Sequence, residues 1–268
     1  MDTYIQQALE LPVSELETLH KTDTSYTFLS ALARTTRDPK VIRDQLVSVL
    51  FAGRDTAAAT MSWCLYELSG KPEVVARLRA EIMDCLGSTD TPSFAHLKSM
   101  KYLKAVLSET LRMYPVVPFN LRVALQDTTL PRGGGPEGRD PVPIKEGSMI
   151  AYSPLVLQRR SDVYPATLPD GRPFPDPEEF VPERWLQREK GLGWVPTAWT
   201  YIPFNGGPRI CIGQQFALTE MGYTLVRLLQ KYDRVERRMP REHCGVARAD
   251  IVMAPGKPIN VALLCPEV

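Results

Sequence analysis

A chain of 268 residues, 44% of them hydrophobic, can bury a substantial core as one large domain or two small ones. Its 32 basic and 31 acidic side chains leave a formal net charge of +1, without the strong field that nucleic-acid binding draws on, so no nucleic-acid partner is expected. Five cysteines, at 64, 85, 211, 244 and 265, are odd in number and show no close pairing, which fits a reducing compartment better than a disulfide framework.

In chain order, the opening MDTYIQQALELPVSELE is acidic and has no hydrophobic run, so it does not read as a signal peptide. No stretch anywhere reaches the roughly 18 to 20 consecutive apolar residues of a membrane-spanning helix, and the chain reads as soluble. From Val41 to Leu68, apolar or small residues recur at 42, 46, 49, 50, 53, 57, 61, 64, 65 and 68, which predicts a long, buried helix. Inside it lies AGRDT, residues 52 to 56. A glycine costs a helix interior about 0.5 to 1 kcal/mol relative to alanine, and a threonine there can bond back to the preceding turn. On residue types alone this is a packing glycine beside a solvated Arg54-Asp55 edge.

A second helix is predicted to begin at Pro72 and end at Gly87, and a third to run from about Met100 to Met113 before Pro115. The third carries SETLR, with Glu109 and Arg112 three apart on one face. Such pairs are usually exposed and contribute about 0.3 to 0.5 kcal/mol. Here Tyr102, Leu103, Val106, Leu107 and Leu111 are apolar, and a buried pair needs further partners; Arg184 in FVPERW offers one.

Prolines, 24 in all and about 9% of the chain against a usual ~5%, concentrate between 115 and 208. Short β-like runs, LRVAL and SMIAY, sit among them. Gly133 to Gly135, which follow Pro131 and Arg132 and open no helix, read as a flexible surface loop, not a phosphate loop. A last helix is predicted from about Gly213 to Lys231.

Immediately before that helix stands FNGGPRICIG. A helix start stabilises negative charge nearby, Gly206 and Gly207 allow sharp turns, and Arg209 adds a fixed cation two residues from Cys211. That setting suits an anionic sulfur, bound to a metal or poised for attack; the alternative is a thiol filling a gap in the core. His20, His96 and His243 are scattered, no Cys/His spacing suits zinc, and no G-x-S-x-G elbow is present.

The identity, order and spacing of these segments resemble the cytochromes P-450. Phe204, Gly207, Arg209, Cys211 and Gly213 match all five fixed positions of that family's haem-binding pattern, F-x-x-G-x-R-x-C-x-G. AGRDT resembles its oxygen-activating helix motif, Glu109 and Arg112 its E-x-x-R pair, and PERW its P-E-R-F segment; residues 166 to 179 look longer than the family's usual connection before PERW, which implies a surface insertion. The resemblance implies a mainly α fold with small β-sheets, the C-terminal, haem-binding part of the cytochrome P-450 catalytic domain. Residues 1–268 would be a single partial domain with the N-terminal half absent, a fragment whose cofactor pocket exposes hydrophobic surface.

Position by position, the resemblance makes Cys211 the axial thiolate of haem b, iron protoporphyrin IX, which favours O–O cleavage. Arg209 and Arg122 would meet the propionates, and Phe204 would pack near the haem. Gly207 and Gly213 would let backbone approach the sulfur. Glu109, Arg112 and Arg184 would form a scaffold. Asp55 and Thr56 would deliver protons to the bound oxygen. Ala52, Gly53, Val116, Val117 and Phe119 would line an apolar substrate pocket. The implied activity is monooxygenation of a lipophilic substrate with O2 and electrons from an NADPH-cytochrome P-450 reductase, at the cytosolic face of the endoplasmic reticulum membrane. RVALQDTTLPRGGGPEG and FNGGPRICIGQQFALTE are most similar to fungal enzymes that hydroxylate n-alkanes and fatty acids, often at the terminal carbon. The alternative is a truncated, catalytically inactive haem-binding remnant.

Overall fold

The computed structural model describes residues 1–19, 26–168, 170–186, 192–243 and 245–266; His20 and Cys244 lie outside them. The architecture is mainly α with small antiparallel sheets, as expected, and the chain divides into two compact units, Met1–Asp55 and Thr56–Val268. The boundary falls within one helix. Among the described residues, no helix is long and apolar enough to cross a membrane.

The first unit holds α1 (Asp2–Glu10), α2 (Val13–Thr18), α3 (Phe28–Thr35) and the beginning of α4 (Pro39–Leu68). A small apolar core holds the short helices, and α3 is also capped. Thr27 and Ser30 form a reciprocal capping box at the start of α3. At α4, Asp38 accepts the N–H groups of Lys40 and Val41 at 2.8 and 3.3 Å, with Pro39 at the first helical position. Ile5, Ala8, Leu16, Ala33 and Ile42 pack together.

The prediction that α4 is buried holds only for its second half. Ile42 is covered, but Val49, Leu50 and Phe51 are 51, 53 and 63% exposed, and continuous burial begins near Ala57. The apolar positions run around most of the helix, whereas the rest of the first unit covers only the face that carries Ile42 and part of Leu46.

In the second unit the remainder of α4 packs with α5 (Pro72–Leu86), α6 (Phe94–Ser99), α7 (Lys101–Met113) and, later in the chain, α8 (Pro154–Leu157) and α9 (Gln214–Lys231). Trp63, Cys64 and Leu68 from α4, Leu78 and Ile82 from α5, Val106 from α7 and Leu225 and Val226 from α9 are sealed in one core. Gly87 ends α5 at φ +68°, as its position suggested. Helix α7 has no side-chain cap from its own N-cap residue; Glu81 of α5 supplies one, its two carboxylate oxygens each accepting an N–H, of Tyr102 and Leu103, at 2.9 Å. This fixes where α7 begins relative to α5.

The strands are β1 (Asn120–Val123), β2 (Thr128–Gly134), β3 (Asp140–Ile144), β4 (Met149–Tyr152), β5 (Arg234–Arg237), β6 (Ala247–Ala249), β7 (Met253–Pro255) and β8 (Val261–Leu264). They form antiparallel pairs β1–β4, β2–β3, β5–β8 and β6–β7. The glycine triplet is part of a hairpin, contrary to its reading as a flexible loop: Gly134 pairs with Asp140 across β2 and β3. A Cβ on Gly134 would stand 3.0 Å from the Pro141 carbonyl oxygen on the facing strand, and Gly135 turns at φ +71°, a conformation that favours glycine.

Candidate functional site

The loop that ends at Cys211 is shaped by its backbone. The N–H of Cys211 donates to the carbonyl of Phe204 at 2.9 Å, closing the segment on itself, and Gly207 turns at φ +68° into a 3-10 turn over Gly207–Arg209. A Cβ on Gly206 would lie 2.4 Å from the Trp199 ring. Gly213 caps α9, its carbonyl accepting the N–H of Ala217 at 2.9 Å, and a Cβ there would sit 3.9 Å from the Cys211 sulfur. The thiol is therefore held at the positive end of an 18-residue helix. Cys211 is exposed, and so are its neighbours Arg209, Ile210 and Ile212, the last completely; Phe204 is half-buried. The core-filler alternative for this cysteine does not fit its exposure.

Behind the loop the structure brings Glu109, Arg112 and Arg184 together, all with fully buried side chains. Glu109 accepts five hydrogen bonds: Nε and Nη2 of Arg112 at 2.8 and 2.9 Å, Nε of Arg184 at 3.1 Å, the Val181 N–H at 2.8 Å and the Trp185 indole at 2.9 Å. One carboxylate cannot neutralise two guanidinium groups, and carbonyl oxygens supply the balance. Arg112 donates to Pro177 at 2.7 Å, Glu179 at 3.0 Å and Gln158 at 3.3 Å; Arg184 donates to Pro175 at 2.9 Å, to Asp176 and to Glu179 at 3.3 Å. Burial works against the charge of Arg112, but the hydrogen bond and charge of Glu109 outweigh it and raise the pKa. For Arg184 burial wins and the pKa falls, though an arginine keeps its proton in either case.

Residues 175 to 179 thus wrap two buried cations, so the segment expected to be a surface insertion is structural over its second half. Gln158, which sequence reasoning missed, is also buried. Its Nε2 donates to the carbonyls of Leu111 and Arg112 at 3.1 and 3.0 Å, at the end of α7, and its Oε1 accepts the N–H of Ile202 at 2.9 Å. The hydroxyl of Tyr201 donates to Ser108 at 3.2 Å. These bonds anchor the upstream arm of the cysteine loop to α7. No sequence signal marks a lone glutamine in a proline-rich loop for this role.

The remaining candidates are more dispersed. Arg122, on β1, is half-buried; it donates to the Leu121 carbonyl at 2.8 Å and lies over the Tyr152 ring at 5.5 Å. Asp55 closes the first unit, exposed and ion-paired with Arg54 at 3.1 Å. Thr56 opens the second, half-buried, with its carbonyl accepting the Thr60 hydroxyl at 2.9 Å. Ala52 is exposed, and a Cβ on Gly53 would meet nothing within 4 Å. Val116 is buried and its carbonyl accepts the Met253 N–H at 2.8 Å; Val117 is half-buried, and Phe119 is 60% exposed.

Chemically, the cysteine loop offers one soft sulfur ligand beside exposed apolar side chains, with guanidinium groups at Arg209 and Arg122 for a ligand that also carries carboxylates. Residues 1–257 match the family model described as "Cytochrome P450". The chain is 51% identical over 266 residues to "Cytochrome P450 monooxygenase pvhE" of Talaromyces variabilis, covering 98% of this chain and 48% of that protein. It is 48% identical over 242 residues to "Cytochrome P450 52A1" of Candida tropicalis, covering 88% and 41%. A crystal structure of a cytochrome P450 aligns with a TM-score of 0.71 at 26% identity, over 98% of this chain and 56% of its own. The chain spans about half the length of the curated relatives it matches.

Proposed function

The chain belongs to the cytochrome P450 family, and we propose on that premise that Cys211 is the axial thiolate of haem b in a monooxygenase that inserts one atom of O2 into a lipophilic substrate. The observation that carries the reading is the exposed Cys211 sulfur, held by its glycine loop at the start of α9. The residues present fit the group: a soft sulfur ligand, exposed apolar Ile210 and Ile212 for a flat macrocycle to cover, and Arg209 and Arg122 for its two carboxylates.

In this reading each residue has a physical task. The closed Phe204–Cys211 turn fixes the direction of the sulfur, and the helix start stabilises its charge. The Glu109-Arg112-Arg184 network keeps α7 and residues 175 to 184 rigid behind the loop, a structural task. Asp55 gathers protons from solvent, which suits its exposure, and the Thr56 hydroxyl holds one for oxygen. Ala52 and Gly53 leave room for oxygen and substrate, and Val116, Val117 and Phe119 favour an apolar chain. When bound, a haem thiolate supplies O2 activation and O–O cleavage.

The substrate we propose is a long-chain alkane or fatty acid, hydroxylated at its terminal carbon, with electrons from an NADPH-cytochrome P-450 reductase at the endoplasmic reticulum membrane. The apolar character of Val116, Val117 and Phe119 supports that substrate class. The test is titration of the purified chain with haem, followed by reduction and carbon monoxide. A thiolate-type Soret band that disappears in Cys211→Ser is the expected result. Haem uptake with the same band in both proteins would refute the assignment of Cys211.

A further inference from the structure

Asn205 lies inside the cysteine loop, at a position that the haem-binding pattern leaves open. It is one of two non-glycine residues with positive φ among those described, at +61°, and its backbone N–H donates to the Ile202 carbonyl at 3.0 Å. Asparagine tolerates that conformation better than most residues, so its presence could be a matter of backbone alone. Its side chain does more. Oδ1 accepts the Tyr152 hydroxyl at 2.8 Å, and Nδ2 donates to Oδ1 of Asn120 at 3.0 Å.

Asn120 and Tyr152 are direct cross-strand partners at the end of the β1–β4 pair. One side chain from the loop therefore bridges both strands of the sheet at the same rung. Each contact has good hydrogen-bond length, and all three residues are half-buried, where such bonds hold better than at an open surface. Tyr152 also carries the Arg122 guanidinium over its ring, at 5.5 Å. The residue before Asn205 is Phe204, whose carbonyl accepts the Cys211 N–H. A continuous series of short contacts thus runs from Cys211 through Phe204 and Asn205 to Tyr152 and Arg122.

We propose that Asn205, through Tyr152 and Asn120, is a positioning residue that locks the Cys211 loop to the β1–β4 sheet and so fixes the sulfur relative to the Arg122 guanidinium. The inference rests on the haem-thiolate reading for its purpose. A group held by both the sulfur and the guanidinium would need those two points at a set separation, and two loops that moved independently could not maintain it.

Three variants separate positioning from backbone conformation. Asn205→Gly keeps the left-handed turn and deletes both side-chain bonds. Asn205→Asp keeps the acceptor for Tyr152 and lets the Asn120 amide turn to donate. Tyr152→Phe removes one bond and keeps the ring under Arg122. Without haem, amide exchange at Cys211 should be about tenfold faster in Asn205→Gly, less affected in Tyr152→Phe, and near the unsubstituted rate in Asn205→Asp, with α7 amides unchanged. With added haem, the thiolate-type share of the ferrous carbon-monoxide band should fall severalfold in Asn205→Gly and recover in Asn205→Asp.

An Asn205→Gly protein that matches the unsubstituted chain in both measurements overturns the proposal and reduces Asn205 to a turn residue. If the unsubstituted chain itself gives no thiolate-type band, the haem-thiolate reading fails, and the exchange rates measured without haem still decide whether Asn205 locks the loop.

Discussion

Replacing Glu109 by glutamine removes the carboxylate that stands between two guanidinium groups whose side chains are both fully buried. Breaking a buried ion pair by deleting one partner costs about 3–5 kcal/mol. Here the deletion reaches further, because glutamine presents an NH2 where one carboxylate oxygen had faced N–H donors. The carboxylate Oε2 accepts from Arg112 and the Trp185 indole, while Oε1 accepts from Arg112, Arg184 and Val181, so whichever way the amide turns, at least two donors lose their acceptor. Stranded buried donors cost about 1–3 kcal/mol each, although such costs overlap with the lost charge and do not simply add. A loss of at least ~4 kcal/mol is expected, a large part of the 5–15 kcal/mol that holds typical domains. Urea unfolding followed by tryptophan fluorescence measures it; at a slope of ~2 kcal/mol/M the midpoint falls by about 2 M. Adding Arg184→Met, which removes the second cation, should restore part of the loss. A change below about 1 kcal/mol in Glu109→Gln would refute the reasoning, since the carbonyls of 175 to 179 would then be sufficient to hold both charges.

Other groups give sharper tests at lower cost. Glu67 is buried against the Tyr114 hydroxyl at 2.5 Å, and burial raises its pKa more than that bond lowers it. A raised carboxylate pKa contributes stability below its unfolded value and loses it as pH rises through the folded one, so Glu67→Gln should gain in thermal midpoint relative to the unsubstituted chain between pH 4 and 7; a constant difference would contradict the sign. Glu81→Ala should cost about 1–2 kcal/mol in urea unfolding by uncapping α7, whereas Glu81→Gln should lose less. Burial pushes the Cys64 thiol up to about 12, so a thiol-alkylating reagent at pH 8 should modify Cys85, Cys211 and Cys265 in the folded chain and spare Cys64, as read by peptide mass spectrometry.

The parts of the fold legible in the sequence are those with a long, regular period. Helices α4, α5, α7 and α9 and strands β1 and β4 fall close to where hydrophobic spacing and proline or glycine punctuation put them. Helices α1 to α3 are too short for periodicity to separate from noise, and β5 to β8, at three or four residues each, show no clean alternation. The glycine triplet misled because its conformational freedom was read as looseness, when it serves the close pairing of β2 with β3.

At the site, the motif residues could be named from their spacing, because a fixed pattern within ten residues is local information. Arg184 could be suggested as a partner of Glu109 but not placed. Gln158, the carbonyls of 175 to 179 and the Asn205 bridge could not be suggested at all, since each depends on where an aperiodic loop comes to rest. Exposure was also invisible: the same helical spacing read as core at Val49 and Leu50 and at Cys64 and Leu68, and only the last two are covered.

Gln158 also sets an order of events. Its side chain bonds to residues 111, 112 and 202, at separations of 47, 46 and 44 positions. Contacts that distant close late in folding, whereas α7 and its neighbour α5 can associate early through local contacts. The upstream arm of the cysteine loop therefore settles onto α7 after α7 and α5 have paired. Pulse-labelled exchange that found the Ile202 amide protected before those of α7 would reverse that sequence.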